Sequence, residues 1–117
     1  MQLTQNFELS EFLIGNEDAI LTNYQMNNLV MVANRLQVIR DITGKSIHIN
    51  SGFRTKEHNA EVGGATGSYH TLGMAADIRI DGMTPAEVQS LLGGWSGGLG
   101  SYDTFTHLDT RPNKVRF

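Results

Sequence analysis

The chain has 117 residues, of which 39% are hydrophobic and 18% charged, with nine basic and twelve acidic side chains and a formal net charge of -3. That is enough chain for one domain with its own core, residues 1–117, and no run of either charge suits a nucleic-acid backbone or an anionic membrane. With no cysteine, disulfides, thiolate metal sites and a cysteine nucleophile are excluded.

Residues 6–16 read as a short helix or turn, with Ser10 as cap and Phe7, Phe12, Leu13 and Ile14 as a small apolar face. Residues 23–43 form the strongest helical pattern: Met26, Leu29, Val30, Ala33, Leu36, Val38 and Ile39 recur at helical spacing, Met31 joins the core stripe, and Gly44 terminates it. Ser46 to Asn50 alternates as a strand, with His48 opposite Ile47 and Ile49 as a surface imidazole. Residues 55–67 predict a loop with one helical turn and a glycine-rich end; no Gly-Lys-Ser/Thr follows, so it is not a phosphate loop. Glu57, His58 and Glu61 read as surface positions there. Residues 74–80 alternate as a strand with Asp77 away from the apolar face. Thr84-Pro85-Ala86-Glu87 opens a helix with a cap, a first-turn proline and a capping-box glutamate, burying Val88, Leu91 and Leu92 and stopping at Gly93-Gly94. A strand through Tyr102, a turn at Asp103-Thr104 and a strand over 105–111 close the chain. Irregular alternation of strands and helices predicts an α+β fold with a mainly antiparallel sheet.

His70, Asp77 and His107 offer two imidazole nitrogens and one carboxylate oxygen, a donor set that suits a catalytic zinc with an open position. The competing reading is a loop histidine beside a strand with an ordinary surface aspartate. Gly73 and Ala75 leave room for a close approach of backbone to a ligand. His107 and Asp109 project to one face of their strand. Arg54 is either a solvated loop charge or a planar fork for a substrate carboxylate or carbonyl.

The series Ser68, His70, Gly73, Ala75, Asp77, then His107-Leu-Asp109, resembles the zinc D-alanyl-D-alanine carboxypeptidase family, peptidase family M15. Ser51-Gly-Phe-Arg54 with His58-Asn59 is similar to its Ser-Gly-Tyr-Arg segment, with Phe53 in place of tyrosine. Asn6-Phe-Glu-Leu-Ser10-Glu11-Phe12 is similar to the start of its compact phage and bacterial subgroup. The resemblance implies a Hedgehog/DD-peptidase-like zinc site with His70, Asp77 and His107 as ligands to one zinc. It places Asp109 and Ser68 around the ligands and gives Arg54 a catalytic role.

The activity so implied is hydrolysis of peptide bonds in peptidoglycan stem peptides or cross-bridges, by a carboxypeptidase or an endolysin-like endopeptidase. A carboxylate then has to take a proton from water and return it to the leaving amine. Many family members carry an acidic residue three before the last histidine ligand; here that position is Thr104, and Asp103 is favoured as the base over Asp109. The rival expectation is a non-catalytic zinc-holding module that binds the wall or builds a virion. We expect a monomer whose partner is a wall peptide, with no nucleic acid and no membrane insertion. Met1 to Asn6 lacks the features of a secretory signal, so action at the cell wall or periplasm implies another route, such as phage-encoded release.

Overall fold

Residue pairing across the sheet fixes where the candidate ligands meet. The computed structural model describes all residues from 1 to 117. Its strands are Ile47–Ser51 (β1), Ala75–Ile80 (β2), Gly98–Ser101 (β3), Thr106–Asp109 (β4) and Val115–Arg116 (β5). They lie in the order β1-β2-β4-β3-β5, antiparallel throughout except for the β3–β5 pair. With the helices Asn23–Thr43 (α1), Lys56–Glu61 (α2) and Pro85–Leu91 (α3), this is the expected α+β fold.

One face of the sheet is apolar. Ile47, Ile49, Ala76, Ile78, Ile80, Leu99 and Leu108 join Leu29, Val32, Ala33, Leu36 and Ile39 of α1, and Val88 of α3 with Leu92 just beyond it, in a single core. Each large aliphatic side chain fully buried there contributes about 1.5–3 kcal/mol relative to exposure. Period-two alternation then turns Asp77 and His107 to the opposite face, where they are directly opposed across β2 and β4.

The two cap signals act as read. Gly44 ends α1 in the left-handed conformation, and the helix opens on a capping box of Thr22 and Gln25 that the sequence reading did not single out. Thr84 and Glu87 form the box at α3, with Pro85 in the first turn. Four details differ from expectation. Met31 and Val38 are exposed, because α1 presents the stripe 29, 32, 33, 36 and 39 to the sheet and these two lie off it. Leu91 and Ile14 are likewise exposed rather than core. The first turn is a 3-10 turn, Leu9–Phe12, and Glu8 rather than Ser10 stands at its start, with its N–H donating to the Glu11 carboxylate at 2.8 Å. The last strand ends at Asp109 instead of 111, after which the chain returns as β5, a strand absent from the sequence reading.

Two irregularities aim residues at the polar face. Between Ile49 and Ser51 the register of β1 against β2 slips by one, so Ser51 faces Asp77 and the chain bends into Gly52-Phe53-Arg54. Gly73, at φ 74°, ends the 3-10 turn Tyr69–Leu72 and feeds β2. A Cβ on Gly73 would lie 2.5 Å from the carbonyl oxygen of Gln25, so this glycine lets the turn close on α1 and does not open room for a ligand. No helix is long and apolar enough to cross a membrane.

Candidate metal centre

Three donors converge although they come from three separate segments. His70 sits in the 3-10 turn, whose start is capped by Ser68: its Oγ accepts the His70 N–H at 3.2 Å. The His70 Nδ1 lies 2.7 Å from the carbonyl oxygen of Gly52. A carbonyl can only accept, so Nδ1 carries the hydrogen and Nε2 presents its lone pair to the cleft. That Nε2 lies 3.2 Å from Asp77 Oδ1, and the same oxygen lies 3.0 Å from His107 Nδ1. A bare imidazole nitrogen facing a carboxylate oxygen is two acceptors without a donor; a cation between them, a proton or a metal ion, resolves it. The ligand atoms of His70, Asp77 and His107 all lie within 4.8 Å of one another, and two nitrogens with one oxygen suit a divalent metal such as zinc.

The far side of His107 is held too. Its Nε2 lies 2.7 Å from Asp109 Oδ2, the carboxylate–imidazole arrangement that orients a metal-binding histidine. Asp109 is wholly buried and saturated: Oδ1 accepts from Gly98 N–H at 2.9 Å and from Arg111 Nε at 2.8 Å, and Oδ2 from Arg111 Nη2 at 2.7 Å. Trp95 Nε1 donates to the Asp109 carbonyl at 2.9 Å and anchors the end of β4.

The electrostatics follow from these contacts. Burial works against ionising Asp77, but its close contacts with His107 and His70 outweigh it and hold the carboxyl well below the usual carboxylate range. Asp109 is depressed in the same way: burial opposes, and bonds from His107 and Arg111 win. His107 moves the other way. Burial disfavours its charged form, yet the bonds to Asp109 and Asp77 raise its pKa above the ordinary value. Both carboxylates are therefore held ionised, each against an arginine, and His107 between them favours its charged form in the metal-free fold.

Arg54 reaches the same carboxylate. Its Nη2 lies 3.2 Å from Asp77 Oδ2, Nε donates to Ser51 Oγ at 3.0 Å, and Nη1 donates to Asn59 Oδ1 at 3.3 Å. The guanidinium is thus fixed at the edge of a cleft of about 540 Å³ whose floor is His70, Asp77 and His107. One wall is the loop from Val62 to Gly67; the other carries Tyr102, Phe105 and Phe117. Tyr102 and Phe105 stack with ring centres 4.6 Å apart.

The remaining residues singled out from sequence fall outside this floor. Asp103 is exposed on the β3–β4 turn and does not line the cleft, although the turn is closed by a 3.0 Å bond from Tyr102 N–H to the Phe105 carbonyl. Thr104 lines a separate hollow of about 190 Å³ beside Pro85 and Val88. His48 bonds to exposed Asp81 at 2.7 Å, and His58 Nδ1 meets Asn16 Nδ2 at 2.6 Å. Sequence reasoning quoted Gly52 and Asn59 within a motif but gave them no role of their own, and it missed the parts played by Arg111 and the aromatic wall. The position of Arg111, two after Asp109, was a usable signal; Phe117 had none, since it follows directly on the unforeseen β5.

Two donors on neighbouring strands and a third on the turn that precedes β2 form a group that could hold a metal ion, set in an α+β fold. Residues 5–109 match the model of the Peptidase M15 family, and the chain belongs to that family. It is 36% identical over 78 residues to the peptidoglycan L,D-endopeptidase MepK of Escherichia coli strain K12, covering 60% of this chain and 43% of that protein. The same identity and coverage hold for MepK of Shigella flexneri. The chain therefore spans less than half the length of these curated relatives.

Proposed function

We propose that this domain is a zinc-dependent peptidase that hydrolyses peptide bonds in peptidoglycan stem peptides or cross-bridges at the bacterial cell wall. The observation that carries this reading is the convergence of His70 Nε2, Asp77 Oδ1 and His107 Nδ1 on the floor of an open cleft. The name of the MepK relatives supports peptidoglycan as substrate and favours an endopeptidase over a carboxypeptidase. All donors and Arg54 come from one chain, so a monomer suffices.

His70, Asp77 and His107 would hold the metal, and zinc bound there supplies Lewis-acid polarisation of a carbonyl and a water made nucleophilic near neutral pH. The protein's own groups do the rest. Gly52 and Asp109 fix the two imidazoles, so their cleft-side nitrogens stay aimed. Arg54 offers donors at the cleft edge to a substrate carboxylate or to the oxygen on which charge develops. Asp109 is unavailable as a base, being buried behind His107 with its oxygens bonded. Asp103 is the carboxylate left for that role. Its turn would have to fold inward over bound substrate to deliver the proton transfer.

Zinc analysis and muropeptide mass spectrometry test this directly. The purified domain should carry about one zinc per chain, as a single three-ligand site requires, and should release peptides from peptidoglycan in a chelator-sensitive way. Full zinc occupancy in both His70→Ala and His107→Ala proteins would end the ligand assignment.

One observation favours a second reading. Asp77 is the sole carboxylate among the cleft-lining residues, so a zinc-holding module that binds wall peptides, or builds a virion, without cutting is its rival. Tight zinc binding and co-sedimentation with peptidoglycan, with no peptide released at any pH, would select it.

A further inference from the structure

We propose that Arg111 is a positioning residue of the metal centre, a strut that ties the His70 turn to the His107 strand through Tyr69 and Asp109. The inference rests on the zinc reading above. Arg111 lies beyond β4 and beyond the stretch that matches the family, residues 5–109.

Its guanidinium meets Asp109 with both prongs: Nε to Oδ1 at 2.8 Å and Nη2 to Oδ2 at 2.7 Å. The Arg111 backbone N–H adds a third bond to Oδ1 at 3.1 Å. Two parallel bonds fix the plane of a carboxylate, which one point charge does not. That plane matters because Oδ2 is also the atom 2.7 Å from His107 Nε2. Rotating the carboxylate would take the acceptor away from the imidazole and free the ring to turn from Asp77.

The same guanidinium lies over the Tyr69 ring, with its Cζ 4.5 Å from the ring centre, and Tyr69 is the residue before His70. Phe117 lies on it as well, at 5.5 Å. One planar cation thus touches the neighbours of two donors that the sequence places 37 positions apart (107 − 70). An ordinary surface ion pair has little effect. This one differs: Asp109 is 0% exposed, Arg111 is 21% exposed, and the contact is two-pronged.

The test is the zinc dissociation constant, measured by competition with a chromogenic chelator. The proteins compared are the unaltered chain, Arg111→Lys, Arg111→Gln, Asp109→Asn and the Arg111→Gln/Asp109→Asn double variant. Thermal melts of the metal-free proteins confirm that each is folded. Arg111→Gln should weaken zinc by roughly 10–100-fold, the usual consequence of losing a group behind a ligand. Arg111→Lys should fall between it and the unaltered chain. The double variant should bind no worse than Asp109→Asn alone, because the strut acts through that carboxylate.

Unchanged zinc affinity in a folded Arg111→Gln or Arg111→Lys protein overturns the inference while leaving the metal centre intact. Additive losses in the double variant also overturn it, since Arg111 would then act by another route. If Arg111→Gln fails to fold, Arg111→Lys against Asp109→Asn decides on the same criterion. Zinc binding absent from the unaltered chain overturns the metal-centre reading itself, and the strut with it.

Discussion

His70 gives its Nδ1–H to the carbonyl oxygen of Gly52 at 2.7 Å, so the backbone of one loop selects the tautomer of a side chain 18 residues away. Gly52 is itself wedged: a Cβ there would lie 2.7 Å from the Phe12 carbonyl oxygen and 2.8 Å from the Phe12 Cα. Phe12 in turn accepts the Phe53 N–H at 2.8 Å. The N-terminal 3-10 turn therefore acts as a backstop for the imidazole.

Gly52→Ala should push that backstop away. Overpacking of this kind costs roughly 1–3 kcal/mol, and the displaced carbonyl should also weaken zinc binding. Urea unfolding and chelator competition measure the two effects. A protein as stable and as tight-binding as the unaltered one would show that the Phe12 contact yields freely.

Zinc uptake should release a proton near neutral pH. His107 has a raised pKa in the metal-free fold, because its bonds to Asp109 and Asp77 outweigh its burial. Its proton therefore stabilises the metal-free protein fully below the unfolded value of about 6.5, and this stabilisation is lost as pH rises through the raised folded value. Zinc needs the Nδ1 lone pair, so its affinity should fall as pH drops through that raised value. Asp77 stays ionised over this window, its pKa being strongly depressed. Calorimetric titration in buffers of different protonation enthalpy should detect the proton. An affinity flat from mildly alkaline to mildly acidic pH, with no proton released, would exclude His107 as a ligand.

Arg54→Lys keeps the charge but loses the fork that spans Ser51, Asn59 and Asp77. We expect folding and zinc content to be retained while turnover drops by about 10²-fold or more, the scale of losing a donor to developing charge. Near-normal turnover would reduce Arg54 to a structural tie to Asp77.

Asp103→Asn should remove about 10²–10⁴-fold of turnover, the usual size of a general-base contribution, with zinc fully retained. The residue is exposed and away from the cleft, so stability should be unchanged. Undiminished cutting by Asp103→Asn takes the residue out of the mechanism.

What the sequence made legible were features encoded locally. Gly44 and the Thr84–Glu87 box act within a few residues, and the helix ends they mark match the structure. Alternation in β2 and β4 puts Asp77 and His107 on one face for the same reason. Features set by distant partners stayed hidden. Met31 and Val38 look like core because they are apolar, but only the direction of the sheet decides which stripe of α1 is covered. Gly73 looked like space for a ligand, whereas its neighbour is the Gln25 carbonyl on a helix nearly fifty residues upstream. β5 has two residues, too few for any period, and its partner β3 is parallel. The burial of Asp109 depends on Gly98 and Arg111, which converge on it only in the folded sheet.

The strand order carries a consequence for how a metal site at His70, Asp77 and His107 would form. Asp77 and His107 are 30 positions apart, and α3 and β3 lie between them in the chain. β4 must slot in between β2 and β3 before either residue faces the other. A nascent or partly folded chain thus offers isolated histidines and aspartates and no chelating set. Ions present during synthesis then act on the finished fold alone, stabilising it by about 2.7 kcal/mol when free metal stands at a hundred times its dissociation constant. Melting temperature should accordingly track zinc activity, making thermal stability a gauge of metal supply at the place where the protein works.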